Sequence, residues 1–111
     1  MKVAYDQDIA VILCSEEDLQ EADNLRNSIL EITLNRGKKK LVLDLSIVER
    51  INSAAIGAIV SAQVVATIDA GAEVRIAGAH GEVLKVIKMA NLDVMLKLEP
   101  TRAHAIAALK K

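Results

Sequence analysis

Apolar residues alternate with polar ones in a way that marks out short segments. Val3-Ala4-Tyr5 and Ile9-Ala10-Val11-Ile12-Leu13-Cys14 flank the polar turn Asp6-Gln7-Asp8, which predicts a β-hairpin or a loose first strand beside a firm second one. Ser15 then stands before Glu16, Glu17 and Asp18, the pattern of an N-cap followed by acids in a first helical turn. Leu19, Ala22, Leu25, Ile29 and Ile32 recur at intervals of three and four, so a helix is expected to run to about Arg36, with Gly37 as its C-cap. Leu41-Val42-Leu43-Asp44-Leu45 is a nearly continuous apolar run, as in a strand covered on both faces.

Ser46 to Asn52 reads as a loop. Ser53 to Ala70 reads as a second helix, with Ile56, Ile59, Val60, Val64 and Ile68 along its apolar face and Gly71 at its end. Glu73-Val74-Arg75-Ile76-Ala77 alternates as a strand does, and Gly78-Ala79-His80-Gly81 forms a turn. Val83, Leu84, Val86, Ile87 and Ala90 outline a third helix closing at Asn91. Val94-Met95-Leu96-Lys97-Leu98 is expected to be the last strand. Pro100 precedes a fourth helix carried by Ala103, Ile106, Ala107 and Leu109. Strands alternating with helices predict an α/β fold with a mostly parallel mixed sheet, right-handed crossovers and about four helices.

The 111 residues suit one domain, residues 1–111, and the 52% of apolar residues suit a packed aliphatic core. With 14 Lys and Arg against 15 Asp and Glu, the net charge of -1 provides no pull toward nucleic acid or anionic lipid. Tyr5 is the single aromatic residue, which removes a stacking platform for bases or sugars. The N-terminal residues lack the apolar core of a signal peptide. The longest apolar stretch, Ala54 to Ala70, is interrupted by Ser61, Gln63, Thr67 and Asp69, so no membrane insertion is expected. These features point to the cytoplasm.

Catalytic chemistry finds little support. His80 and His104 have no Cys or paired acids at metal-ligand spacing, so neither a metal nor a cofactor is expected. The lone Cys14 lies in an apolar strand, where a thiol is usually an inert small hydrophobe. Ser53 has Asn52 and Ala54 as neighbours and no local general base. Gly78 and Gly81 match no glycine-rich phosphate loop. Asp44 sits in the central strand, as a phosphoacceptor would. The acids Glu16, Glu17 and Asp18, however, open a helix rather than follow a first strand, which disfavours a phosphoaspartate site. The basic run Arg36 to Lys40 reads as a solvated helix end and strand start. No enzymatic activity is expected.

One segment carries a resemblance. Leu41-Val42-Leu43-Asp44-Leu45-Ser46, a short loop, and Ile51-Asn52-Ser53-Ala54-Ala55-Ile56-Gly57 resemble the signature of STAS domains, the family of bacterial anti-sigma factor antagonists. That signature is an apolar strand ending in Asp-Leu-Ser, then Asp-Ser-Ser/Thr-Gly-Leu-Gly opening a helix. The resemblance extends over nearly the whole chain and implies a STAS-like fold. It implies a protein-binding switch: the antagonist binds a serine-kinase anti-sigma factor, and phosphorylation of the serine matching Ser53 blocks the binding. Asn52 departs from the pattern by replacing an Asp, and Ala54-Ala55 replace Ser/Thr-Gly. Asn remains a good helix cap but supplies no carboxylate to orient the serine hydroxyl.

The expected partner-binding residues are Val48, Glu49, Asn52, Ser53, Ala54 and Ile56. The alternative implied by the resemblance is an unphosphorylated scaffold or regulatory subunit, holding an ABC ATPase of a lipid-transport complex or other STAS proteins of a stress-signalling assembly. A third reading, a small-ligand binder, has only the Gly78–Gly81 turn and the basic run to rest on.

Overall fold

A computed structural model describes residues 1–110. Its strands are β1 (Lys2–Asp6), β2 (Ile9–Leu13), β3 (Lys40–Asp44), β4 (Glu73–Ala77) and β5 (Leu98–Glu99). Its helices are α1 (Ala22–Leu30), α2 (Ser53–Val64), α3 (Gly81–Met89) and α4 (Arg102–Leu109). The strands form one sheet in the order β1-β2-β3-β4-β5, antiparallel between β1 and β2 and parallel elsewhere.

The opening is a hairpin. Gln7 turns the chain with φ of 57°, and Asp6 pairs with Ile9 across the turn. β2 and β3 are buried on both faces because helices cover both sides of the sheet. Ala10, Ile12, Leu41, Leu43, Val74 and Ile76 meet Leu25, Ile29, Ile59, Val83 and Ile87 from α1, α2 and α3 in the main core. Ile9, Val11, Val42 and Ala77 point the other way and pack against Ala105 and Leu109 of α4. That two-sided burial is why the Leu41–Leu45 run shows almost no alternation.

Three expectations need correction. The helix expected from Ser15 is interrupted. Ser15 Oγ does accept from Asp18 N (3.2 Å), and Asp18 Oδ2 accepts from Ser15 N (2.8 Å). This reciprocal cap opens only a 3₁₀ turn, Asp18–Gln20, and Glu21 at φ -120° and ψ 71° separates that turn from α1. Leu19 still enters the core, so the apolar spacing runs across a break in the helix. Past Leu30, the chain widens into a π turn over Glu31–Asn35.

Of the expected apolar face of the second helix, only Ile59 is buried. Ala55, Ala58, Ile59, Ala62, Val65 and Ala66 are buried, whereas Ile56, Val60 and Val64 are only partly covered and Ile68 is 75% exposed. The small side chains let α2 lie close to its neighbours, Ile59 and Val65 fill the core between them, and Ile56, Val60 and Val64 stay on the flank. A π turn over Val65–Asp69 then rotates the end of the helix.

The expected strand Val94–Leu98 is mostly a turn. Leu92–Val94 is 3₁₀, Val94 is 88% exposed, and only Leu96 is buried. Pairing with β4 begins at Leu98. One anchoring leucine produced the apolar signal, not a ladder.

Candidate functional site

The loop from Leu45 to Asn52 leaves the end of β3 and carries the chain to α2. It is held from several sides. Leu45 N donates to Ala77 O (2.8 Å), and Val48 N donates to Leu45 O (3.0 Å). Asp44 Oδ1 accepts from Ser46 N (2.9 Å), turning the chain at the strand end, while Asp44 Oδ2 accepts from Arg102 Nε (2.8 Å) at the start of α4. Burial pushes the Asp44 carboxyl pKa upward, but the hydrogen bonds from Ser46 and Arg102 outweigh it and hold the group below the usual carboxylate range. Asp44 therefore ties the loop to α4 as a carboxylate.

Gly78 lies against the same turn. It has φ of +74°, and a Cβ there would stand 2.9 Å from the Ser46 Cβ, so only glycine fits without a shift. His80 Nε2 donates to Ser46 O (3.0 Å). The Gly78–Gly81 turn is thus packed on the β3–α2 loop at its first glycine rather than open as a ligand cradle.

Farther along, Glu16 reaches across. Its Oε2 accepts from Glu49 N (3.0 Å) and Arg50 N (3.3 Å). Asn52 has extended φ and ψ, and its Oδ1 accepts from Ala55 N (2.8 Å), capping α2. The Asn52 amide also pairs with Gln20: Gln20 Nε2 donates to Oδ1 (3.1 Å), and Nδ2 donates to Gln20 Oε1 (3.3 Å). Glu16, Glu17, Gln20, Arg50, Ile51 and Asn52 line a shallow cleft of about 290 Å³ beside the cap.

Ser53 is the first residue of α2 and is exposed, as are Glu49, Asn52 and Ala54. Ile56 is partly covered. These five share one surface at the helix N-terminus. Val48 does not belong with them. It is fully buried in the main core, so it pins the loop from beneath and offers no side chain to a partner. Glu16 and Gln20 were not among the expected site residues. They lie 33 and 32 residues before the groups they hold, and no local pattern announces such a contact.

The remaining candidates have structural partners. Cys14 is buried, and its thiol pKa is pushed up to about 12 by burial and by the nearby Asp18 and Asp44 charges. His104 Nδ1 lies 2.7 Å from Thr101 Oγ1, which also accepts from His104 N to cap α4. The basic run is dispersed. Arg36 faces Glu31, Lys38 lies over the Tyr5 ring, Lys39 Nζ donates to Ala70 O, and Lys40 pairs with Asp8. Among the described residues, no helix is long and apolar enough to cross a membrane.

The STAS domain family model matches residues 3–105. No curated protein sequence matches the chain. Among solved structures, a candidate anti-sigma factor antagonist from Thermotoga maritima superposes with a TM-score of 0.79 at 23% identity, covering 99% of this chain and 94% of that one. A chain of the stressosome, a signal integration and transduction hub, gives 0.82 at 17% identity, covering 98% and 96%. The serine-to-glutamate variant of RsbS from Moorella thermoacetica gives 0.82 at 17% identity, covering 98% and 93%. At these identities the shared property is the fold.

Proposed function

Because the chain belongs to the STAS domain family, we propose that it is an anti-sigma factor antagonist, a protein-binding switch that docks on a serine-kinase anti-sigma factor and is released by phosphorylation of Ser53. The observation that carries this reading is the division of labour at the start of α2. Asn52 makes the cap bond, so the exposed Ser53 is spared a structural duty and can be modified without unfolding the helix.

A phosphate on Ser53 would bring about -1.5 to -2 charges to a helix N-terminus, where backbone N–H groups and the helix dipole tolerate an anion. The fold would persist while the surface changed. With the neighbouring Glu16, Glu17 and Glu49 against the single cation Arg50, that surface would be net anionic, and a partner complementary to the neutral serine would be repelled. Glu49, Asn52, Ala54 and Ile56 are the contact residues in this reading.

A second reading is favoured by one specific observation. The Asn52 amide is held by three hydrogen bonds, to Ala55 N and to both ends of the Gln20 amide, so an uncharged cap holds this surface. A constant surface of that kind suits a scaffold, holding an ATPase subunit or other STAS domains without phosphate control.

Capture from the source organism's lysate with wild-type protein and Ser53→Glu, read by mass spectrometry, separates the two. Enrichment of a serine kinase by wild type and its loss with Ser53→Glu, together with phosphate found on Ser53 in cells, supports the switch. Equal capture of an ATPase or of STAS proteins by both forms overturns it in favour of the scaffold.

A further inference from the structure

β1 is an edge of the sheet, and its first four residues are exposed, including Val3 at 40% and Tyr5 at 43%. The hairpin register decides which of its backbone groups are spoken for. Asp6 pairs with Ile9 across the two-residue turn, and Ala4 and Lys2 follow opposite Val11 and Leu13. Hydrogen-bonded and non-bonded pairs alternate in an antiparallel ladder. The closing pair of such a turn is a bonded one, so Lys2, Ala4 and Asp6 direct their N–H and C=O groups at β2. Val3 and Tyr5 direct theirs outward, away from the sheet. An exposed edge of this kind is a template for another strand.

The sequence of β1, Lys2-Val3-Ala4-Tyr5-Asp6, is self-complementary when read antiparallel about Ala4. In that register Val3 lies opposite Tyr5 of a second copy, and both residues have outward-facing backbone groups, so each such pair can exchange both N–H···O bonds. Lys2 lies opposite Asp6 on the α4 side, where Asp6 Oδ1 also faces Lys110 Nζ of its own chain at 3.3 Å and is shared between the two cations, and the reciprocal pair repeats it across the two-fold axis. On the α1 side, Val3 and Tyr5 line an open groove with Ile32, Glu31 and Arg36, with room beside the strand for a second Tyr5 ring. Shifting the pairing by two residues keeps the bonding parity but breaks the match of opposite charges.

We propose that β1 is a homodimerisation edge: two copies of this chain pair antiparallel through Lys2–Asp6 about Ala4, joining their sheets into one. The contact is isologous, as a closed two-fold dimer requires. Its specificity comes from Lys2 facing Asp6, and its bonding from the outward backbone of Val3 and Tyr5. The pairing does not depend on the Ser53 surface, which follows β3 at the start of α2.

The test is the mass of wild-type protein across a wide concentration range by analytical ultracentrifugation, with variants checked for fold by circular dichroism. Val3→Pro removes only an outward N–H and leaves the ladder to β2 whole, so it is expected to be monomeric. Lys2→Asp places like charges opposite one another and is expected to weaken self-association by about tenfold or more, and Asp6→Lys does the same while also losing its own Lys110 partner, so its fold is checked first. Mixing the two variants restores both opposite-charge pairs, so a heterodimer is expected where neither forms a homodimer. Slow, concentration-dependent exchange of the Val3 and Tyr5 amide protons would locate the contact directly. Wild-type protein that stays monomeric at all concentrations overturns the proposal. So does a dimer that Val3→Pro leaves intact, since another surface or partner would then be responsible.

Discussion

Asp44 and Arg102 lie 58 residues apart and meet at 2.8 Å, joining the end of the central strand to the first turn of the last helix. The carboxylate is 4% exposed and the guanidinium 42% exposed, so the pair sits at the boundary between core and solvent. Its second oxygen starts the turn into the loop before Ser53. One buried acid thus couples the proposed docking surface to the opposite layer of the fold.

Arg102→Ala is expected to cost roughly 1–2 kcal/mol in denaturant unfolding, the range for a lost hydrogen bond to a charged group with partial solvent access. The pH dependence follows from the lowered pKa of Asp44 in the folded state. Its contribution is complete above the unfolded carboxylate pKa of about 3.9 and is lost as pH falls through the lower folded value. Asp44→Asn should therefore lose most stability near neutrality, and the difference from wild type should shrink in acid. A difference that grows on acidification would contradict the assignment.

The two neighbours at the start of α2 should behave differently. Asn52→Ala is expected to cost about 1 kcal/mol because it removes the cap, and it also breaks the paired amide bonds to Gln20. Ser53→Ala should change stability by no more than roughly 1 kcal/mol, and less than Asn52→Ala does. Urea melts of both variants check the order. A loss of several kcal/mol for Ser53→Ala would make Ser53 a structural residue.

Gly78→Ala combines a left-handed backbone with a Cβ 2.9 Å from that of Ser46. The two effects add, and a loss greater than about 1 kcal/mol is expected. Thermal melts give the size. Because the clash falls on the loop before Ser53, partner binding should weaken alongside stability.

Cys14 should resist alkylation. Its thiol pKa is about 12 and the side chain is buried, so little thiolate exists to react. Iodoacetamide at mildly alkaline pH is expected to label it only as fast as the chain opens, and promptly in denaturant. Rapid labelling of the folded protein would show that β2 opens more readily than its burial implies.

Much of the fold was legible because its signals are local. The run Leu41–Leu45 read as a doubly covered strand, and α4 on one side with α1, α2 and α3 on the other provide the covers. The hairpin showed in the polar turn between two apolar segments. Misreadings occurred where spacing continues across a change of geometry. Leu19, Ala22, Leu25 and Ile29 follow one another at intervals of three and four, although Glu21 interrupts the helix between Leu19 and Ala22. Ile68 stands at helical spacing from Val64, yet a π turn and a bed of alanines put it in solvent.

The candidate site was legible only along the chain. Asn52 and Ser53 could be placed at a helix start from residue types alone, because capping depends on neighbours three residues away. The burial of Val48 and the bonds of Glu16 with Glu49 and Arg50, of Gln20 with Asn52 and of Arg102 with Asp44 could not. Those groups are brought together by the packing of separate layers.

The sequence by itself determined the alternation of strands and helices and the cap of α2, since periodicity and capping act within a few residues. Only the tertiary structure decided which face of α2 is buried, which loop residues reach solvent and which acid is paired, since those depend on segments that meet when the sheet closes over its helices.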